Sequence, residues 1–162
     1  ENCKERIIQP LGLTKTYLYQ DVTDERPKLL YHKKRVLNIP KAMTSFGADG
    51  GIVSVSSDML TFIEAFFTGK LFHFAYLDEL REWNRIFPPM RAGVGIHLFK
   101  LPRLFNPTGT IPYFIGHSGL SGALAFYSPI RNLYVAGTVN QTAHPDLSFK
   151  TMISLTQQIL KK

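Results

Sequence analysis

The chain has 162 residues, 44% of them hydrophobic and 19% charged, enough for one domain with a real core and unlike a wholly disordered chain. Its longest apolar runs, such as Ile115 to Tyr127 and Tyr134 to Val139, fall short of the ~20 residues a membrane helix requires. The single cysteine, Cys3, excludes an intrachain disulfide and a multi-cysteine metal site. The formal charge is +7, and the basic residues gather at Lys28, His32, Lys33, Lys34 and Arg35 and at Lys161 and Lys162. These runs are short and lack an aromatic platform, so a solvated basic surface is expected rather than a nucleic-acid partner. The chain opens on Glu1 with no signal-like segment, and the expectation is that whatever came before it has been removed.

Asn2 to Gln9 reads as a short helix stopped at Pro10, and Leu11-Gly12-Leu13-Thr14 as a turn. Tyr17 to Pro40 is irregular, a loop with a short strand around Arg35 to Ile39. Gly47-Ala48-Asp49-Gly50-Gly51 is a breaker cluster. An amphipathic helix follows, with Met59, Phe62, Ile63, Phe66 and Phe67 on one face. Ser54 or Ser56 is expected to cap it, Asp58 to sit in its first turn and Gly69 to end it. A second helix is expected over Phe74 to Arg85, with Leu77, Leu80 and Trp83 spaced for burial and Pro88-Pro89 as its stop. Gly93 and Gly95 then lead into a strand over Ile96 to Leu101, and residues 102–112 are turn-rich.

Three strands with short connections come next, about Tyr113 to Ser118, Gly122 to Tyr127 and Leu133 to Val139, an antiparallel meander. A final helix from Pro145 or Asp146 to Leu160 presents Phe149, Met152, Ile153, Leu155, Thr156 and Ile159 as its buried face and places Lys161 and Lys162 at its negative end. The expected class is α+β: helices, a three-stranded antiparallel meander and a C-terminal helix packed on the sheet. It is read as a single partial domain over 1–162, with 1–92 mainly helical and loop and 93–162 holding the strands and last helix.

Chemistry concentrates in Gly116-His117-Ser118-Gly119-Leu120-Ser121-Gly122. His117 and Ser118 end a strand, and Gly119 leaves clearance for a substrate backbone to pair along it. A strand N–H at this place can aim at a developing oxyanion. By residue type alone the same segment is an ordinary turn. Adjacent strand residues point to opposite faces, so His117 does not serve as base for Ser118. The spacing Gly116-His117-Ser118-Gly119 is not a Gly-x-Ser-x-Gly elbow, and Ser54, Ser56 and Ser57 are better explained by the helix start. His32, His73, His97, His117 and His144 form no close-spaced ligand pair, so neither a metal nor a cofactor is expected.

Four segments, taken in order, carry a family resemblance. Arg6-Ile7-Ile8-Gln9-Pro10-Leu11-Gly12-Leu13-Thr14-Lys15-Thr16 is similar to an "rI-x-x-PLGM-x-x-T" segment. Gly50-Gly51-Ile52-Val53-Ser54 through Asp58-Met59-Leu60-Thr61-Phe62 is similar to "GGL-x-ST-x-x-DL-x-x-F", with Val55 where Thr is usual. Gly93-Val94-Gly95-Ile96 is similar to "YGLGW". Gly116-His117-Ser118-Gly119 through Gly122, then Tyr127-Ser128-Pro129 and Asn132, is similar to "GH-[ST]-G-x-x-G" and its "P-x-x-N" turn. The chain thus resembles the C-terminal portion of the serine β-lactamase-like hydrolases, the bacterial group of class C β-lactamases, D-alanyl-D-alanine carboxypeptidases (penicillin-binding proteins) and related esterases.

That resemblance implies acyl-serine hydrolysis of an amide, lactam or ester, built on three motifs. Ser-x-x-Lys and Tyr-x-Asn, which normally precede the "PLGM" segment, do not occur in this sequence; the third is carried by His117, Ser118 and Gly119. It implies that His117 and Ser118 contact a polar or anionic substrate group and that the Leu120 backbone N–H is one oxyanion donor. On this reading the chain is inactive alone, and a noncatalytic ligand-binding module derived from the same fold is the alternative. The implied partners are a small-molecule or peptide substrate of the intact protein and a second copy joined through an open sheet edge. The implied location is periplasmic, extracellular or at the envelope.

Overall fold

The computed structural model describes residues 2–47 and 50–161. Ala48 and Asp49 of the breaker cluster, and Lys162 at the chain end, lie outside the described residues. A π-helical turn at Lys4–Ile8 opens the chain, followed by β1 (Tyr17–Leu18), β2 (Tyr31–His32), β3 (Arg35–Val36), α1 (Pro40–Phe46), β4 (Ile52–Val53), α2 (Ser56–Phe67) and α3 (Tyr76–Glu79). Then come β5 (Asn84–Phe87), β6 (Met90–Ala92), β7 (His97–Phe99), β8 (Phe114–Ser118), β9 (Leu124–Ser128), β10 (Leu133–Gly137) and α4 (Asp146–Leu160).

The α+β class is as expected, but the sheet is larger than a three-stranded meander. Strands β5 to β10 form one six-stranded sheet in the order β10-β9-β8-β7-β6-β5, with every neighbouring pair antiparallel. Of the extra strands, β7 falls on the strand expected over Ile96 to Leu101, β6 follows Pro88-Pro89, and β5 begins inside the span expected to be a second long helix. Only Tyr76–Glu79 is α-helical, because the Leu80 carbonyl accepts from Val94 N–H at 2.9 Å rather than extending the helical ladder. The chain then turns out into β5 and joins the sheet. Two small pairs lie apart from it, β1 with β4 and β2 with β3.

Alternation along the strands gives the sheet two apolar faces. Met90, Phe99, Phe114, Leu124 and Phe126 pack with Met152 of α4, and Phe149 of α4 stacks on Phe99 with 5.0 Å between centroids. On the other face Ile96, Ile115 and Ala125 pack with Ile63 and Phe67 of α2 and Leu77 of α3. The buried line of α4 is Ser148, Met152 and Thr156, a straight i, i+4, i+8 row. Leu155 and Ile159, expected inside, are instead exposed. Their spacing places them beside that row, on the flank α4 turns to solvent.

The start of α2 also differs from expectation. Its N-cap is Val55, with no side-chain cap. The Ser54 hydroxyl is engaged elsewhere, 2.7 Å from Thr16 Oγ1. Asp58, in the first turn as expected, accepts from Lys15 N–H (2.9 Å) and Thr16 Oγ1 (2.8 Å). Two of the four resembling segments are thus pinned together, and Tyr19 N–H donating to the Gly51 carbonyl at 2.8 Å adds a further tie.

Candidate active site

The central strand β8 delivers His117 and Ser118 to the end of the sheet. His117 lies opposite Ala125 and Ser118 opposite Leu124. Adjacent strand residues point to opposite faces, so His117 and Ser118 do not form a base–nucleophile pair. His117 is exposed and Ser118 half-buried.

Two glycines shape this segment for steric reasons. A Cβ on Gly116 would run into the Ala125 carbonyl and stand 2.7 Å from the Phe126 Cα, so β8 and β9 approach here only because residue 116 has no side chain. Gly122 adopts φ +77°, and a Cβ there would strike the Val139 side chain. Between them the chain turns tightly: Gly119 N–H donates to the Ala123 carbonyl (2.8 Å) and Gly122 N–H to the Gly119 carbonyl (3.0 Å). Leu120 and Ser121 are therefore the central residues of a β-turn. The Leu120 side chain is 76% exposed, and its N–H meets no acceptor among the described residues.

A second histidine stands beside the first. His97 is the cross-strand partner of Gly116, which presents no side chain to it, and its imidazole stacks on that of His117, 4.3 Å between centroids and 20° between planes. Its Nδ1 is buried without a partner. Burial lowers the pKa of His97, and the neighbouring His117 lowers it further. His97 is therefore a neutral ring at pH 7 that limits where the His117 ring can lie.

A third component comes from far along the chain. Gln141 N–H donates to the Ser121 carbonyl at 3.0 Å, while its side chain holds both peptide groups of Lys33: Lys33 N–H donates to Oε1 at 2.8 Å and Nε2 donates to the Lys33 carbonyl at 3.0 Å. The β2–β3 hairpin is thereby docked beside the 119–122 turn.

Of the residues read from the sequence, His117, Ser118, Gly119 and Leu120 lie together at one sheet end. His97 and Gln141 were not singled out, because only the β7–β8 pairing and the return of the chain after β10 bring them there. An open apolar groove of about 430 Å³ lies between α2, α3 and the β6–β7 connection, lined by Phe66, Phe72, Tyr76, Glu79, Leu80 and Val94, apart from the 116–122 segment. Among the described residues no three His, Cys, Asp or Glu side chains gather as a metal site would require, and no helix is long and apolar enough to cross a membrane.

The fold has relatives of known structure. It is similar to a D-stereospecific amidohydrolase from Streptomyces sp., with 24% identity, a TM-score of 0.66 and coverage of 86% of this chain and 43% of that one. It is similar to the D-amino acid amidase from Ochrobactrum anthropi SV3, with 18% identity, a TM-score of 0.73 and coverage of 96% of this chain and 50% of that one. The same amidase complexed with L-phenylalanine amide gives 17% identity, a TM-score of 0.72 and coverage of 98% and 51%. At these identities the likeness is one of fold, and the chain spans about half the length of those structures. No curated protein matches it. The family model described as Beta-lactamase matches residues 1–153. Together with the sheet flanked by α2 and α4, that match gives the assignment: the chain belongs to the beta-lactamase family.

Proposed function

We propose that this chain supplies the third wall of an acyl-serine hydrolase site, cleaving an amide, lactam or ester, and that it does not cleave one by itself. The observation that carries the reading is the unpartnered Leu120 N–H, one residue beyond Gly119 and two beyond Ser118 on a tightly folded turn. A fixed backbone N–H with no internal acceptor can meet a developing oxyanion without first breaking another bond. His117 and Ser118 then lie where a polar or anionic substrate group would pass, and Gly119 offers clearance. An amide is the bond to test first, given the names of the similar solved structures.

The sequence has no Ser-x-x-Lys and no Tyr-x-Asn, so no acyl-enzyme forms on it in this reading. One oxyanion donor alone is also a weakened hole: loss of a donor typically costs about 100- to 1000-fold. In this reading the intact protein carries both motifs upstream of Glu1.

The test has two parts. The purified chain is assayed with nitrocefin, a p-nitrophenyl ester and a D-amino-acid p-nitroanilide, with no turnover above buffer expected. Hydrolysis abolished by His117→Ala would overturn the inactivity. The complete reading frame is then read upstream of Glu1. Ser-x-x-Lys and Tyr-x-Asn there support the hydrolase, whereas a start codon in their place gives the noncatalytic ligand-binding module.

A further inference from the structure

The basic cluster and the candidate site are distant in sequence and joined in the structure. The β2–β3 hairpin and its flanks carry Lys28, His32, Lys33, Lys34 and Arg35, and from Pro27 to Gly47 there is no acidic residue. The stretch from Trp83 to Pro145, which builds the whole six-stranded sheet and the 119–122 turn, has none either. All 12 Asp and Glu residues of the chain lie outside these two stretches. The segments that meet at the site are therefore cationic without internal neutralisation.

The docking is specific. Tyr31 N–H donates to the Asn140 carbonyl (3.0 Å) and Thr142 N–H to the Tyr31 carbonyl (2.9 Å), while His32 Nδ1 lies 3.0 Å from Thr142 Oγ1. At the tip Lys33 takes φ +56°, an unfavourable backbone for a residue with a Cβ, and the Gln141 side chain holds it there through both of its peptide groups. The tip is thus anchored through its backbone, and no salt bridge engages Lys33, Lys34 or Arg35 among the described residues. One residue, Gln141, spans from this tip to the Ser121 carbonyl of the turn. Lys33, Lys34 and Arg35 are exposed on that anchored backbone, so their charges can attract an anionic ligand at the turn in a way that weakens as salt is raised.

We infer that the Lys33–Arg35 tip, held by Gln141, is an anion-recognising rim of the site, and that the ligand bound along His117–Gly119 carries a carboxylate- or phosphate-class group reaching that tip. The inference rests on the reading of His117–Gly119 as a substrate wall and adds the charge of the substrate to it.

The test is an amide NMR titration of the full chain with two probes of the same size, N-acetylglycine as the anion and N-acetylglycinamide as its neutral counterpart. The anion is expected to shift both the Gly119–Gly122 and the Lys33–Arg35 amides and to bind more weakly as salt is raised. Lys34→Glu and Arg35→Glu should each weaken it about fivefold, while Lys70→Glu, beyond the end of α2, should leave it unchanged. Gln141→Ala should uncouple the two sets of shifts, and retained dispersion of the remaining amides shows that it folds. The inference is overturned if the anion shifts neither set, if it shifts the turn alone with no effect of the charge reversals, or if only a long polyanion such as heparin responds. Anion binding at the hairpin while neither probe touches the turn would overturn the substrate-wall reading itself.

Discussion

His97 and His117, twenty residues apart in sequence, lie ring against ring with 4.3 Å between centroids. Because burial holds the pKa of His97 below its ordinary value, the unfolded chain binds more proton than the folded one as pH falls through about 6.5. The stability associated with neutral His97 is thus complete above that pH and declines as pH drops toward the folded value. Replacing His97 with Phe keeps a flat ring against His117 and removes the titration. Urea midpoints at pH 7.5, 6.5 and 5.5 should fall more steeply for the wild type than for His97→Phe; parallel slopes would show that His97 titrates alike in both states.

Gly116 is the tightest point of the sheet. Gly116→Ala drives a methyl into the Ala125 carbonyl and should cost about 3 kcal/mol in urea unfolding, with β8 and β9 amides losing hydrogen-exchange protection. Gly137, on β10, has nothing within 4 Å of an added Cβ. Gly137→Ala is expected to change stability by about 0.5 kcal/mol at most, in the stabilising direction. Equal losses at both positions would refute the steric account.

These two relationships show what a linear sequence discloses. Periodicity marked α2 and α4 because each needs only its own residues at helical spacing, and His117, Ser118 and Gly119 were legible because they are contiguous. The strand β5 was not, since Asn84–Phe87 follows a run with helical spacing and is extended through its pairing with β6, after the Leu80 carbonyl has left the helix to accept from Val94. The Ser54 cap failed for the same reason: its hydroxyl meets Thr16, 38 residues away. His97 and Gln141 carry no local signal at all and acquire their places from strand pairing and a returning loop.

The pin between the first two resembling segments should be energetically coupled. Asp58→Ala leaves Lys15 N–H and the Thr16 hydroxyl without their acceptor and should cost about 2 kcal/mol. Thr16→Ala should cost about 1 kcal/mol. In a double-mutant cycle the pair should cost less than the sum by at least about 0.5 kcal/mol. Simple additivity would show that the carboxylate stabilises through α2 alone.

Ser128 presents the reverse case. Its side chain is fully buried and its Oγ has no hydrogen-bond partner, so the folded state bears the hydroxyl's desolvation without a compensating bond. Ser128→Ala removes that penalty at the cost of a very small void, and the expected result is a protein equally stable or more stable by about 1 kcal/mol. A loss of that size would mean that the hydroxyl bonds a buried water.

The two edges of the large sheet are not equivalent. Edge strand β5 carries Arg85 and a register irregularity between Arg85 and Phe87, both of which discourage further pairing. At the opposite edge β10 is Leu133-Tyr134-Val135-Ala136-Gly137, without a charge, a proline or a bulge. An unguarded apolar edge invites another strand, and for the isolated chain the available one is β10 of a second copy, giving a two-fold antiparallel pair. Light scattering after size exclusion should then report a concentration-dependent dimer. Gly137→Lys adds a charge where space is open and should shift the chain to monomer without lowering its unfolding midpoint. A wild-type chain that stays monomeric up to high concentration would overturn this account and show that the β10 edge is shielded in solution.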